Sequence, residues 1–287
     1  MPRFGAHTSI AGGLHRAIER ATALGCDTVQ IFLRNNMRWR ARARTPEELA
    51  QFKETLAASE IEPVVAHAIY LINLASPEEQ VYAQSTEAFA EELSRCHEAG
   101  IPFLVLHPGS HKGTGLEEGI ARIARTIDAA YEAHPEVEVV TLLENTAGQG
   151  NVIGKRFEEL AQIAAQIEEP ARIGYCFDTA HALAAGYELR TTEGYQDTFG
   201  QLERVLGLGK LHCFHVNDSR YDLNEGADEH RNIGEGYLDV EAFRMLVNDP
   251  RFAELPMILE TPTADDMSGY EADLKLLRSL VEPSSGT

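Results

Sequence analysis

The chain is poor in cysteine, in aromatic residues and in basic residues for its 287 positions. Aromatic side chains make up 7% of it, with a single tryptophan. Its four cysteines lie far apart and form no C-x-x-C pair, which argues against both a disulfide framework and a thiolate zinc site. They are Cys26, Cys96, Cys176 and Cys213. We interpret them as buried thiols in a reducing compartment.

Long hydrophobic runs are also missing. Nowhere do about 18 uncharged apolar residues follow one another, the minimum for a membrane-spanning helix. The start of the chain, Met-Pro-Arg-Phe-Gly-Ala-His, contains no apolar signal core. We therefore expect a cytoplasmic protein with no membrane partner.

Basic charge is scarce, since 25 lysines and arginines stand against 45 acidic residues and the formal net charge is -20. Taken alone, this balance argues against a nucleic-acid partner, because phosphate binding relies on lysine and arginine. Two features weaken the argument. Some of the acids can be metal ligands, and basic charge is concentrated in one stretch beside Trp39, which favours phosphate contact there. The arginines of that stretch are Arg34, Arg38, Arg40, Arg42 and Arg44.

Eight short apolar runs alternate with patterns of helical period, which predicts βαβ units and a parallel sheet. Eight strands close a barrel, and the length suits a single (β/α)8 TIM barrel of class α/β with its active site at the carboxyl ends of the strands. We expect one domain over residues 1–282 and a frayed tail over 283–287. The predicted strands are Arg3–His7, Thr28–Phe32, Pro63–His67, Phe103–His107, Val137–Glu144, Ile173–Asp178, Leu211–Val216 and Met257–Glu260.

Two helix starts have a recognisable pattern. The segments Thr45-Pro-Glu-Glu48 and Ser76-Pro-Glu-Glu79 each combine a hydroxyl residue, a proline and a glutamate three positions later. Each predicts a capping box that begins a helix.

Six of the eight predicted strands finish at or next to a side chain that can bind a metal ion. Five of the six follow one another at separations of 34 to 40 residues, about one βα unit each. A single histidine or carboxylate at a strand end is ordinarily structural. In a closed parallel barrel, however, all six would converge on one face, where a cation offsets the cost of bringing unpaired charges together. The six are His67, His107, Glu144, Asp178, His215 and Glu260.

Two local pairs extend this set. His181 follows Asp178 by three residues, and Asp228 and His230 alternate in a loop rich in Asn, Asp and Gly. The nine residues offer five imidazoles and four carboxylates, which is too many for one zinc ion with about four ligands. Such a set suits a metal cluster bridged by a carboxylate, as in phosphoester hydrolysis. His7 also ends a strand, and we interpret it as structural or as a support for the ligands.

Several long motifs resemble the apurinic/apyrimidinic endonucleases of the endonuclease IV type, which belong to the xylose-isomerase-like TIM barrel superfamily. The resemblance runs from the first strand to Glu260. The most specific segments are Asp178-Thr-Ala-His-Ala-Leu-Ala-Ala-Gly and His215-Val-Asn-Asp-Ser, followed by Asp228-Glu-His-Arg-Asn-Ile-Gly-Glu-Gly. Further matching segments are Gly5-Ala-His-Thr-Ser, His67-Ala-Ile-Tyr-Leu-Ile-Asn-Leu, Leu106-His-Pro-Gly and Leu143-Glu-Asn-Thr-Ala-Gly-Gln-Gly.

The resemblance implies three Zn²⁺ ions per chain, with Mn²⁺ an alternative at one site. It assigns His67 and His107 to one ion and His181, Asp228 and His230 to a third. Asp178, His215 and Glu260 would hold the second, and Glu144 would bridge the first and second. Glu144 and Glu260 are accordingly the predicted catalytic residues.

The activity that the resemblance implies is DNA repair. A hydroxide held by the metals would hydrolyse the phosphodiester 5′ to an abasic site in double-stranded DNA, leaving a 3′-hydroxyl and a 5′-deoxyribose phosphate. Removal of blocked 3′ ends is an expected second activity. The enzyme would act as a monomer in the cytoplasm, associated with the nucleoid when bound to DNA.

Five residues are predicted to contact DNA. Tyr70 and Leu71 occupy positions that enter the base stack in the family, where an aromatic wedge keeps a flipped-out sugar exposed. In the loop after strand two, Met37 stands where the family commonly has an arginine, between Asn36 and Arg38. Either Met37 is an apolar wedge or Arg38 takes over that position.

Two other functions remain open at this point. A sugar isomerase or epimerase on the same barrel would need fewer metal ions and no DNA-facing loop. A non-catalytic protein that binds damaged DNA would need a structural cluster, for which nine ligands are an excess.

Overall fold

Eight parallel strands form a closed barrel in the computed structural model, which describes residues 2–283. The strands follow one another around the barrel in chain order, and the last pairs with the first. The last four residues of the expected tail lie outside the described part of the chain. The barrel strands are β1 (Arg3–His7), β2 (Thr28–Phe32), β3 (Val64–His67), β4 (Phe103–Leu106), β5 (Val140–Glu144), β6 (Ile173–Asp178), β7 (Leu211–His215) and β10 (Pro256–Leu259). The predicted (β/α)8 architecture is confirmed.

Some predicted strand boundaries are wrong by one to three residues. β5 begins at Val140 and not at Val137, because its neighbour β4 offers no ladder partner before Phe103. Strands β4 and β10 end one residue before His107 and Glu260, so these two side chains extend from the first loop residue. β3 begins one residue after its predicted start, and β7 ends one residue before its predicted end.

Helices surround the barrel and bury their apolar stripes against its outer surface. In α1, for example, Leu14, Ala17, Ile18 and Ala21 are buried at helical spacing. The helices are α1 (Leu14–Ala23), α2 (Pro46–Ala57), α3 (Glu79–Ala99), α4 (Leu116–Ala133), α5 (Phe157–Ala164), α6 (Thr179–Ala185), α7 (Thr192–Val205), α8 (Asp239–Val247) and α9 (Ser268–Leu280), with short 3-10 turns at Pro170–Arg172, Leu208–Lys210 and Pro250–Phe252. Among the described residues, no helix is both long and apolar enough to cross a membrane.

One of the two predicted capping boxes is wrong. Thr45 caps α2 as expected, with Pro46 in the first turn and reciprocal hydrogen bonds to Glu48. Ser76 does not cap α3, which begins only at Glu79. The Ser76 hydroxyl instead accepts from the backbone N–H of Glu78, two residues on, and so closes a turn before the helix.

The inside of the barrel is filled by a separate small apolar layer. This layer consists of Val65, Val105, Leu142, Cys176, Cys213 and Ile258. Each of these residues lies two positions before one of the six predicted strand-end ligands. Because side chains alternate between the two faces of a strand, each ligand points inward directly above a residue of the layer. The fold therefore places an apolar floor under a polar site.

Candidate metal centre

Glu144 lies at the centre of the site and is fully buried. Its Oε2 atom faces the Nε2 atoms of His67, 3.4 Å away, and His107, 2.9 Å away. Its Oε1 atom faces the Nδ1 atoms of His215 at 2.9 Å and His181 at 3.3 Å. The two oxygens of one carboxylate thus address two separate groups of imidazoles.

The nine predicted ligand residues all meet at this end of the barrel. Among these nine residues, three groups have ligand atoms within 4.8 Å of one another, and Glu144 and Asp178 each belong to two of them. The groups are His67–His107–Glu144, then Glu144–Asp178–His215–Glu260, and finally Asp178–His181–His230. Asp228 lies beside the last group, with Oδ2 at 3.2 Å from His181 Nε2 and Oδ1 at 3.6 Å from His230 Nε2. Asp178, which the resemblance assigns to one ion, therefore lies between two groups.

Three of the histidines are oriented by backbone carbonyls. The Nδ1 atoms of His67 and His181 donate to the carbonyls of Ala68 and Asn145, at 2.7 and 3.0 Å. The Nδ1 atom of His230 donates to the carbonyl of Glu260 at 3.3 Å. Because a carbonyl only accepts, each bond leaves Nε2 of the same ring facing the carboxylates. This is the usual arrangement of histidines that bind metals.

The carboxylates and imidazoles of the site shift one another's protonation. Burial alone would raise the pKa of Glu144, but the positive charges of His107 and His215 outweigh it and hold the pKa well below its ordinary value. Burial likewise opposes charge on His215, yet Glu260 and Glu144 raise its pKa well above its ordinary value. In the same way, the charge of His181 outweighs burial and lowers the pKa of Asp228 to about 2. Glu144 and Asp228 are thus kept ionised by positive charge within the site, which bound cations would supply in place of protons.

Two atoms of the site show that cations fit it. Glu144 Oε2 and His230 Nε2 are buried and make no aligned hydrogen bond to any described residue. Buried polar atoms without a partner are costly in a folded protein. Imidazole nitrogens and carboxylate oxygens are donors that zinc and manganese accept. The residues present therefore fit divalent metal ions.

Asp218 fixes the loop that carries Asp228 and His230. Its buried carboxylate accepts four backbone N–H groups at 2.7 to 3.0 Å. The donors are those of Ser219, Gly234, Gly236 and Leu238. Together with the two-residue strands β8 (Asp218–Ser219) and β9 (His230–Arg231), these bonds hold His230 over the barrel.

Three amides that contact the ligands were not recognised in the sequence. Asn217 donates to Asp178 Oδ2 at 2.7 Å and accepts the backbone N–H of Glu260 at 2.8 Å. Asn145 bonds the backbone of Asp178 in both directions. Gln30 is fully buried in β2 and contacts His215, Glu260 and His7. The available signal was a polar residue at an inward position of an otherwise apolar strand, or directly after a strand-end ligand.

The loop between β2 and α2 borders the site, and its arginines divide into two sets. Arg34 is only 3% exposed and ties the loop to α3, with bonds of 2.7 Å to both Glu91 and Glu92. Arg42 pairs with Glu48, and Arg44 donates to the carbonyl of Leu33. The prediction of phosphate contact is thus wrong for Arg34, since the buried carboxylate of Glu92 holds it inside. Arg38 and Arg40 are exposed, and within residues 2–283 their side chains have no hydrogen-bond or ion-pair partner.

Two large apolar side chains stand out from the surface at this end. Met37 is 68% exposed and Tyr70 is 60% exposed. Tyr70 lies edge-on against His67, with 5.9 Å between ring centroids. Leu71 is half-buried and packs on the core, so it offers less surface than Tyr70. Asn36, with His7 and Phe32, lines a cavity of about 490 Å³ beside the site.

The fold and site together define a class of protein. Residues 18–280 match the family described as xylose isomerase-like TIM barrel, and the polar cluster lies where such barrels carry their active sites. The fold alone is shared with a D-tagatose 3-epimerase-like protein, at a TM-score of 0.71, 22% identity and coverage of 97% of this chain and 98% of that one.

Within this class, greater similarity is to endonucleases. The probable endonuclease 4 of Chloroflexus aurantiacus is 49% identical over 282 residues, covering 98% of this chain and 99% of the relative. That of Geobacter sulfurreducens is 47% identical over 277 residues, 96% of this chain and 94% of the relative. Endonuclease IV from Thermus thermophilus superimposes with a TM-score of 0.86 at 34% identity, covering 97% of this chain and 98% of that chain. The chain belongs to the endonuclease 4 family.

Proposed function

We propose that the protein is a DNA repair endonuclease that holds three divalent ions, zinc by preference, and hydrolyses the phosphodiester 5′ to an abasic site. The observation that carries the proposal is the convergence of Glu144 with eight other imidazole and carboxylate side chains, beside exposed apolar residues that can enter a base stack. The family relationship supports it, and the predicted products are a 3′-hydroxyl and a 5′-deoxyribose phosphate.

The nine side chains would form three groups, and each group would hold one ion. Glu144 would bridge the first two, since its two oxygens face different imidazoles. Asp178 would connect the second and third groups, since its Oδ2 atom lies 4.0 Å from His215 Nδ1 and 3.6 Å from His230 Nε2. When bound, the ions would activate water as a nucleophile and stabilise the charge that develops on the phosphate. Glu260 is the ligand nearest solvent in the second group, and its side chain can therefore reach the reacting phosphate.

The exposed residues would bind the DNA around the flipped sugar. Tyr70 and Met37 would fill the space in the stack, and Arg38 and Arg40 are free to contact phosphates. Asn36 and Leu71 would contact the strand next to them. The same centre, given a chain end in place of an internal abasic site, would remove 3′ blocking groups.

An incision assay tests the proposal. A duplex with one abasic analogue, labelled at its 5′ end, is incubated with zinc-loaded protein. We expect one product, cut on the 5′ side of the analogue, and no cut in an undamaged duplex. Glu260→Gln should lose this activity, whereas Glu132→Gln, a change at an exposed site on α4, should keep it. An intact abasic duplex with the zinc-loaded protein overturns the proposal.

A sugar epimerase remains the second candidate on fold alone. The third group is the observation that disfavours it, because a centre of one or two ions has no need for His181, Asp228 and His230 to converge. Metal analysis that finds one or two ions per chain, with no loss of metal in a His181→Ala, His230→Ala variant, would favour the epimerase.

A further inference from the structure

Gln30 contacts two ligands of the second group from a different part of the barrel. It lies in β2, whereas His215 and Glu260 follow from β7 and β10. Its Oε1 atom lies 2.8 Å from His215 Nε2, and its Nε2 atom lies 2.6 Å from Glu260 Oε1. The same nitrogen lies 3.0 Å from Nδ1 of His7. Gln30 itself is fully buried.

The partners of Gln30 determine which way its amide is turned. A carboxylate accepts hydrogen bonds and does not donate them, so the amide nitrogen must face Glu260. The amide oxygen then faces His215 and can only accept, so the proton of that ring lies on Nε2. Nδ1 is therefore the nitrogen of His215 that faces Glu144 at 2.9 Å and Glu260 Oε2 at 3.2 Å.

His215 differs in this respect from its neighbours. His67, His181 and His230 are oriented by backbone carbonyls, which no substitution removes. In His215 the Nδ1 atom faces the carboxylates, and the side chain of Gln30 determines the orientation of the ring. Gln30 also takes up one oxygen of Glu260 and leaves the other toward the site.

We propose that Gln30 is a positioning residue that orients His215 and Glu260 together toward one ion. The inference rests on the proposed function, because it assigns that ion to the second group. Gln30 does not touch the ion or the substrate. Its hydrogen bonds hold two ligands in the geometry that the ion requires, and they add no further charge to the site.

The consequence is a selective loss of metal affinity. Mutation of a residue that supports a metal ligand lowers metal affinity or activity by about 10- to 100-fold. Replacing Gln30 should lower the affinity for the ion of the second group by this factor. The affinity for the ion held by His67 and His107 should not change. The kcat for incision should fall, with KM for the abasic duplex unchanged, because the residues that face DNA are untouched.

The variant Gln30→Leu tests this, with Thr141→Val as the matched control. Thr141 is also a buried polar strand residue, but its hydroxyl bonds Tyr131 and not the site. Metal-free proteins are titrated with Zn²⁺ against a competing chelator, and each binding step is fitted. Gln30→Met, which keeps the length of the side chain, serves if the leucine variant does not fold.

A loss of about 10- to 100-fold in one binding step of the Gln30 variant, with none in the control, supports the inference. Wild-type affinity at every step in Gln30→Leu or Gln30→Met overturns it, and wild-type incision would then leave the proposed function intact. If the wild-type protein binds metal but fails to incise, the proposed function fails, and the chelator titration still decides the role of Gln30.

Discussion

Eight of the nine candidate ligands reach the cluster by two routes that differ in burial and in support, and the ninth, His181, extends from α6. Six extend from strand ends above the apolar floor, and Asp178 and His215 among them are fully buried. Asp228 and His230 come instead from a long loop, where their side chains are 38% and 17% exposed. The strand-end ligands are fixed by the barrel itself. The loop-borne ligands depend on the carboxylate of Asp218, which makes the third group the part most easily lost.

The largest effect is expected at the residue that the strand-end groups share. Glu144→Gln removes the negative charge between His67, His107 and His215, and those imidazoles then lose the acceptor that organises them. We expect loss of two ions per chain and a fall in incision of more than about 100-fold, above the effect of supporting residues. Elemental analysis of the dialysed protein and the incision assay measure both. Retention of three ions would contradict the bridging role.

A smaller and selective effect is expected when Asp218 no longer fixes the loop that carries Asp228 and His230. Asp218→Asn replaces an acceptor by a donor among four backbone N–H groups, and an unsatisfied buried group costs about 1–3 kcal/mol. The third ion should bind about 10- to 100-fold more weakly, with the other two retained. The chelator titration measures each step. Asp249→Asn, at a largely buried carboxylate that bonds Tyr195, is the control.

If the loss in Asp218→Asn falls equally on all three ions, the two routes are not independent. In that case the loop would be part of the same cooperative unit as the barrel.

Mutating the exposed residues Met37 and Tyr70 should affect substrate binding and not metal binding. Tyr70→Ala removes one stacking surface while Met37 remains, so we expect the low end of the range for stacking, about 1 kcal/mol or roughly fivefold in KM. Tyr70→Phe should retain most of the affinity. The measurement is KM for the abasic duplex together with metal content. A change in metal content would show that Tyr70 supports His67 rather than the DNA.

The smallest effect concerns Glu92, which bonds Arg34 and so holds the loop between β2 and α2. Burial raises the pKa of Glu92, against the opposing charge of Arg34. Between its ordinary value of 4.5 and the raised one, the folded protein binds this proton and the unfolded chain does not. Stability therefore falls as pH rises through this window, and Glu92→Gln should show a shallower fall. Urea midpoints at several pH values measure it, with exposed Glu87→Gln as control. If the stability of the wild type and of Glu92→Gln fell equally steeply with pH, the raised pKa of Glu92 would be contradicted.

Much of the fold was predictable, and the reason is physical. The alternation of apolar runs and helical patterns predicted all eight barrel strands, and side chains of period two explain why strand-end residues converge. Boundaries such as the start of β5 depend on a neighbour's length and are not local. The capping pattern at Thr45 predicted a helix start, whereas at Ser76 the hydroxyl bonds a nearer N–H and the helix begins later.

The site was predictable only in part. His67, Glu144 and His215 follow from strand periodicity, but Gln30 reaches partners 185 and 230 residues away, a contact that no local pattern contains. In the sequence Arg34 is one of five similar arginines, and its bonds to Glu91 and the buried Glu92 on α3 are contacts that no local pattern contains. The metal-ligand roles of the nine residues stay a prediction, as does DNA contact by Asn36, Met37, Arg38, Tyr70 and Leu71.

A stepwise metal titration tests the central claim most directly. Metal-free protein is loaded with increasing Zn²⁺, and ions bound per chain and incision of the abasic duplex are measured at each step. We predict that full incision develops as the third ion binds and that the undamaged duplex stays intact throughout. Full activity with two ions per chain, or none with three, would contradict a three-ion centre built from strand-end and loop-borne ligands.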